Sequence, residues 1–213
     1  MTDAARRYAA ELRLSTRLQG LVAHELGNPL QSLVVLVELT RDELAARDPL
    51  DRGVARLDRA LESVDRFRDV LIAAGRVRQL VFHPGPDARI WGPILDELIT
   101  AVAHRLVRVE FHRATEAIDA RPHSPGLPPA AVLAALVGVG EQLRRLAPEG
   151  VRFELRGDVD DGRVELKLVL TTGDREVELE AGLRDWVADL LAESPGARVE
   201  LHAGTLTLSA PLA

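Results

Sequence analysis

One stretch of the chain combines residue types capable of chemistry with a spacing that presents them together: Ala23-His24-Glu25-Leu26-Gly27-Asn28-Pro29-Leu30. On a helix, at about 100° per residue, Val22, Leu26, Leu30, Leu33 and Val37 form an apolar stripe. His24 points about 160° away from the centre of that stripe, out to solvent. Asn28 lies one turn further on the same exposed side, and Glu25 is adjacent. Pro29 inside a helix costs about 3 kcal/mol, because it removes the bond to the Glu25 carbonyl. Gly27 costs roughly another 1 kcal/mol. Two helix-weakening residues beside an exposed imidazole and amide break local rules, as functional sites do. An isolated helical histidine is most often plain surface, so it is the cluster that matters. A zinc-protease reading fails, because HELGN lacks the second histidine of HExxH.

The elements that must position these residues are two long helices. Leu14, Leu18, Val22, Leu26, Leu30, Leu33 and Val37 recur every three or four residues, which predicts a helix from Asp3 to Ala46. Asp48-Pro49-Leu50-Asp51 reads as a turn, with Pro49 stopping the first helix and Asp51 capping the second. The second helix, to near Leu80, carries Val54, Leu57, Leu61, Val64, Phe67, Leu71 and Ala74 at near-heptad spacing. A lone hairpin cannot bury such a stripe, whereas two copies packed as a four-helix bundle can. Homodimerisation is the simplest solution, with packing on the C-terminal half as its competitor.

His83-Pro-Gly-Pro-Asp-Ala-Arg89 reads as a linker. It separates residues 1–82, with 13 arginines and 12 acidic residues, from residues 83–213, with 14 basic and 21 acidic residues. The second half alternates helical and strand periods. Helices are expected at Trp91–Leu106, Pro129–Leu146 and around Leu183–Leu191. Strands are expected at Val107–His112, Val151–Arg156, Val164–Leu170, Val177–Glu180, Val199–His202 and Thr205–Ser209. Asp160-Asp161-Gly162 and Ala203-Gly204 are the hairpin turns. The result is an α+β domain, a mostly antiparallel sheet with helices on one face.

Composition narrows the field. The chain of 213 residues has no cysteine, which removes disulfides, thiolate metal sites and a cysteine nucleophile. Its net charge of −6 and few aromatics argue against nucleic-acid binding. No run of about 18 apolar residues predicts a membrane span, and the N-terminus lacks a signal-peptide core. The expectation is a cytoplasmic protein. His83, His104, His112, His123 and His202 show no metal-ligand spacing and receive no role.

His24, Glu25, Asn28, Pro29 and Leu30 resemble the H-box of the histidine kinase family, H-E-x-x-[NT]-P-L, carried on the first of two long helices. Residues 1–82 thus resemble that family's dimerisation and histidine-phosphotransfer hairpin. Residues 90–213, in their order of elements, are similar to the ATPase domain that follows it. The resemblance implies that His24 accepts a phosphoryl group and that Glu25 fixes the tautomer or takes the proton. Asn28 would position a water or polarise the acceptor. The partner implied is a response-regulator receiver domain, docked below His24 and carrying its own Mg²⁺. Gln31, Leu21 and Arg66 are expected to face it.

The nucleotide motifs of that family do not carry over. The central helix has Glu141 or Gln142 where a Mg²⁺-binding asparagine belongs. Val169-Leu170-Thr171-Thr172-Gly173 has no adenine-reading aspartate. Only Thr171 to Gly182 fill the place of the long lid. The expectation is a dimeric histidine phosphotransferase that binds neither ATP nor metal, set against a divergent ATP-dependent kinase or a non-catalytic adaptor for response regulators.

Overall fold

The structure, a computed structural model, describes residues 2–46, 50–83, 90–106, 109–146, 150–173 and 175–212. The Asp48-Pro49 turn and most of the His83–Arg89 linker lie outside them. The elements run α1 (Asp3–Ala46), α2 (Leu50–Phe82), α3 (Trp91–Leu106), β1 (Glu110–Ala114), α4 (Glu116–Asp119), α5 (Pro129–Leu143), β2 (Val151–Asp160), β3 (Arg163–Thr172), β4 (Arg175–Glu176), α6 (Ala181–Leu190), β5 (Arg198–His202) and β6 (Thr205–Pro211). Asp51 falls inside the first turn of α2, because the helix already includes Leu50. The chain divides into two compact units: residues 17–76, and the described residues up to Thr16 together with those from Val77 onward.

The first unit is an antiparallel helical hairpin. Its intrachain contact is made mainly by small or polar groups. Leu21, Ala60, Thr40 and Ser63 are buried. The two hydroxyls are satisfied on their own helices, Thr40 Oγ1 donating to the Leu36 carbonyl at 2.7 Å and Ser63 Oγ to that of Arg59 at 3.0 Å. Arg56 reaches across to the Leu39 carbonyl at 3.0 Å. Part of the stripe, with the neighbouring Val34, is left outside. Leu30, Val34 and Val37 on α1 and Leu57, Leu61, Val64 and Leu71 on α2 are all exposed.

The second unit is a two-layer α+β sandwich. The sheet order is β1-β2-β3-β6-β5, with β4 on the end of β3; β1–β2 is parallel and every other pairing antiparallel. Strict alternation builds it. Phe153, Leu155, Val164, Leu166, Leu168, Leu170, Leu206 and Leu208 point into the core, while Arg152, Arg156 and Thr207 stay on the open face. The β2–β3 turn has Asp161 at φ 44 and Gly162 at φ 70, the pair of positive angles that a two-residue primed turn requires. α5 is apolar around its whole circumference because it is the central helix, buried from Pro129 to Val137. The first turns of α1 belong to this unit. Trp186 Nε1–H donates to the Ala10 carbonyl at 3.1 Å, and the Arg13 guanidinium lies 4.4 Å from the Trp186 ring centre.

His123 gives this unit a pH dependence. Its Nε2 lies 2.8 Å from the Leu127 carbonyl and its ring 4.7 Å from that of Trp91. Burial holds its pKa below the ordinary histidine value, against the pull of the Leu127 carbonyl. The unfolded chain then binds more protons than the native one below about pH 6.5, so the stabilisation is complete above that pH and is lost as pH falls. Thermal unfolding between pH 7.5 and 5 is expected to show this fall. His123→Gln, which keeps a donor for Leu127, is expected to flatten it.

Gly204 is a position where only glycine fits. A Cβ there would stand 2.7 Å from the Val177 carbonyl oxygen and 2.9 Å from that of Leu170. Both are backbone atoms, Leu170 in β3 and Val177 held to it by its N–H on the Leu170 carbonyl at 2.8 Å, so neither yields. Gly204→Ala is expected to cost about 2 kcal/mol and lower Tm by several degrees in a thermal scan.

Candidate functional site

α1 carries His24, Glu25 and Asn28 on one side of the hairpin, as the helical count requires. The His24 side chain is 64% exposed. The Glu25 carboxylate, half-buried, brings Oε1 to 4.0 Å from His24 Nδ1. At that separation the two groups are neighbours, further apart than a hydrogen bond. A carboxylate on the Nδ1 side favours the tautomer with hydrogen on Nδ1. In that tautomer Nε2 is the unprotonated ring nitrogen. Asn28 is exposed one turn beyond. Pro29 sits inside an unbroken helix, half-buried, and has no N–H to donate along the helix.

The surroundings amend the expected docking residues. Gln31 and Arg66 are exposed, Arg66 pairing with Glu62 at 3.6 Å. Leu21 is not available to a partner: it is buried in the hairpin, because it lies on the face of α1 turned to α2. Val35 and Leu39, which the sequence reading passed over, are exposed. Counting about 100° per residue from His24 puts Val35 about 20° from it and Leu39 about 60° from it, the latter at the helical angle of buried Leu21. The same count applied to the sequence would have found them.

The second unit places Glu141 and Gln142 at the C-terminal end of α5, both partly buried. Gln142 is the residue that acts. Its Nε2 donates to the Glu178 carbonyl at 2.6 Å and its Oε1 accepts from the Glu180 N–H at 3.3 Å. One side-chain amide thereby pairs with the backbone on both sides of Leu179, which is buried. Arg145 adds an ion pair to Glu180. Leu183 presses on Gly138 so closely that a Cβ there would meet its Cδ1 at 2.3 Å. The short segment after β3 is thus fastened against α5 by side chains of this chain. Among the described residues no group of three or more His, Asp or Glu stands together as a metal site.

No family profile matches the chain, and no curated protein matches it. Solved structures do. A histidine kinase from Burkholderia phymatum is 18% identical, with 99% of this chain and 98% of that one covered, at a TM-score of 0.43. A bacterial phosphotransferase is 15% identical over 93% of this chain and 95% of that one, at 0.46. The catalytic domain of the histidine kinase ThkA is 8% identical over 59% of this chain and 96% of that one, at 0.42.

Proposed function

We propose that the chain is a phosphorelay histidine phosphotransferase of two-component signalling. His24 takes a phosphoryl group from a receiver-domain aspartyl phosphate and passes it to a response regulator. The observation that carries this reading is the outward-facing His24 with Glu25 at its Nδ1 and Asn28 one turn on, all on a hairpin helix. In the forward step the Nε2 lone pair attacks phosphorus and the P–N bond forms. The phosphorus–oxygen bond to the receiver's aspartate breaks, and that carboxylate leaves with its electron pair. The Nδ1 proton stays beside Glu25, which offsets the positive charge that grows on the ring. Mg²⁺ held by the receiver would neutralise the phosphoryl oxygens. Exposed Val35 and Leu39, below His24 on its own face, supply apolar contact for the receiver.

Phosphate enters from a receiver in this reading, not from ATP. The Gln142 clasp and the Leu183–Gly138 contact support it, because they fill the space beside α5 with the chain's own groups. The bare aliphatic stripes of α1 and α2 support a homodimer, each copy covering the other's. No helix among the described residues is long and apolar enough to cross a membrane.

The test is a transfer experiment. Receiver domains carrying labelled phosphate are mixed with the chain, and label is followed on both proteins and in free solution. Label moving onto the chain supports the proposal. With Asn28→Ala, transfer to His24 is expected to persist while release of free phosphate falls about tenfold or more. Label arriving from Mg-ATP without any receiver would assign a kinase instead. No exchange with any receiver would leave an adaptor.

A further inference from the structure

Trp91, the first residue of α3, is fully buried, yet its Nε1–H finds no acceptor among the described residues. A buried donor without a partner carries a cost that any move toward water releases. The ring beside it is His123, the two centres 4.7 Å apart and the planes tilted by 59°. The Leu127 carbonyl, 2.8 Å from Nε2, can only accept, so Nε2 carries the hydrogen and Nδ1 is the unprotonated ring nitrogen. A second proton goes to Nδ1 and needs an acceptor of its own. The indole of Trp91 offers none, because its N–H only donates. No charged side chain of the described residues acts on the ring, neither Asp96 and Glu97 of α3, nor Glu116 and Asp119 of α4, nor Arg121 beside it. The first turn of α5 has no acidic residue. A charged His123 therefore has no counter-ion and one acceptor too few.

The segment that carries His123 is held at other points. Trp91 N–H donates to the Arg121 carbonyl at 3.0 Å, Leu127 N–H to that of Ser124 at 3.0 Å, and Ser124 Oγ to that of Pro211 at 2.6 Å. None of these bonds uses the imidazole, so the ring can leave while the fold around it stands. We propose that His123 and Trp91 form an acid-released latch in the second unit. Proton uptake at Nδ1 drives the imidazole out of the core and breaks its bond to the Leu127 carbonyl. The same motion brings the Trp91 N–H to water, while the sheet and α5 stay folded. Both unmet donors gain partners in the one step, which is why the opening is local and not a loss of the whole fold. Once outside, the ring titrates as an ordinary histidine, so the proton favours opening as the pH falls below about 6.5. The latch stands independently of the phosphotransfer reading, since it involves none of its residues.

The chain has two tryptophans, so Trp186→Phe leaves Trp91 as the sole reporter. Its emission and its quenching by acrylamide are followed from pH 7.5 to 5, with far-ultraviolet circular dichroism on the same samples. The expected result is a red shift with a roughly threefold or greater rise in quenching, centred below about pH 6.5, at constant helical signal. Adding His123→Gln is expected to remove it. Hydrogen exchange of the unmodified chain, corrected for the intrinsic effect of pH, reads the same event without substitutions: amides between 120 and 128 lose roughly tenfold protection or more, while those of β3 keep theirs. A Trp91 that stays shielded to pH 5 overturns the latch. So does a transition that persists with His123→Gln, or indole exposure that coincides with loss of the helical signal.

Discussion

His24→Gln is expected to abolish phosphoryl acceptance, with transfer from a loaded receiver falling at least a thousandfold. The substitution removes the only nucleophile of the exposed cluster, since neither the Glu25 carboxylate nor the Asn28 amide forms a durable phosphoryl adduct. It should leave the fold alone. The side chain is 64% exposed, and a surface change of this kind moves stability by about 0.5 kcal/mol or less. Matching thermal unfolding curves for the two proteins would show that the loss is chemical. Unchanged transfer would remove His24 from the reaction and return the chain to the adaptor reading.

Leu61→Glu is expected to break the dimer. Leu61 is 63% exposed within one chain, so in a monomeric hairpin the substitution is close to neutral. In a bundle of two copies it puts a carboxylate into an apolar interface twice over. At about 2 kcal/mol for each buried unpaired group, the dimer is weakened by roughly 4 kcal/mol, which is about a thousandfold in Kd. Sedimentation across a dilution series measures it. Among the described residues 17–76, Leu21 is the one large aliphatic side chain fully buried, beside Ala60, Thr40 and Ser63. Loss of the second copy is therefore expected to lower the helical signal as well. Equal Kd values for the two proteins would rule out this surface as the interface.

Much of the fold was legible. α1 spans Asp3–Ala46 as its period required, and β2, β3, β5 and β6 fall where the residues placed them, whereas β1 runs Glu110–Ala114, later than the expected Val107–His112, of which 107 and 108 lie outside the described residues. The primed turn at Asp161-Gly162 followed from the residue types alone. The division of labour on the helices was not legible. Periodicity finds an apolar face, but it does not say which part meets the neighbouring helix and which meets a second molecule. On α2 the interior contact uses Ala60 and Ser63, which carry no hydrophobic signal, while Leu57, Leu61 and Val64, which carry the strongest, stay outside.

Leu21 was misplaced for a related reason. Its helical angle lies closer to His24 than to the centre of the stripe, yet the hairpin packs on that flank. Val177–Glu180, expected as a strand, keeps the alternation that buries Leu179 but leaves β3 after the Val177 N–H has donated to the Leu170 carbonyl at 2.8 Å. Gln142, 36 residues earlier, supplies the missing hydrogen bonds. A side chain that substitutes for a backbone partner at that distance leaves no local trace. In the site, the residue types and their exposed side of α1 were readable. The approach of Glu25 to Nδ1 needed coordinates, because it depends on rotamers.

The central claim is that phosphate from a receiver comes to rest on His24. The most direct measurement is to load the chain from a labelled receiver, digest it and locate the label. The account predicts an acid-labile, base-stable phosphoryl group on the peptide containing His24, bonded through Nε2. Label confined to another residue, or a chain that stays unlabelled beside a receiver it binds, would contradict it.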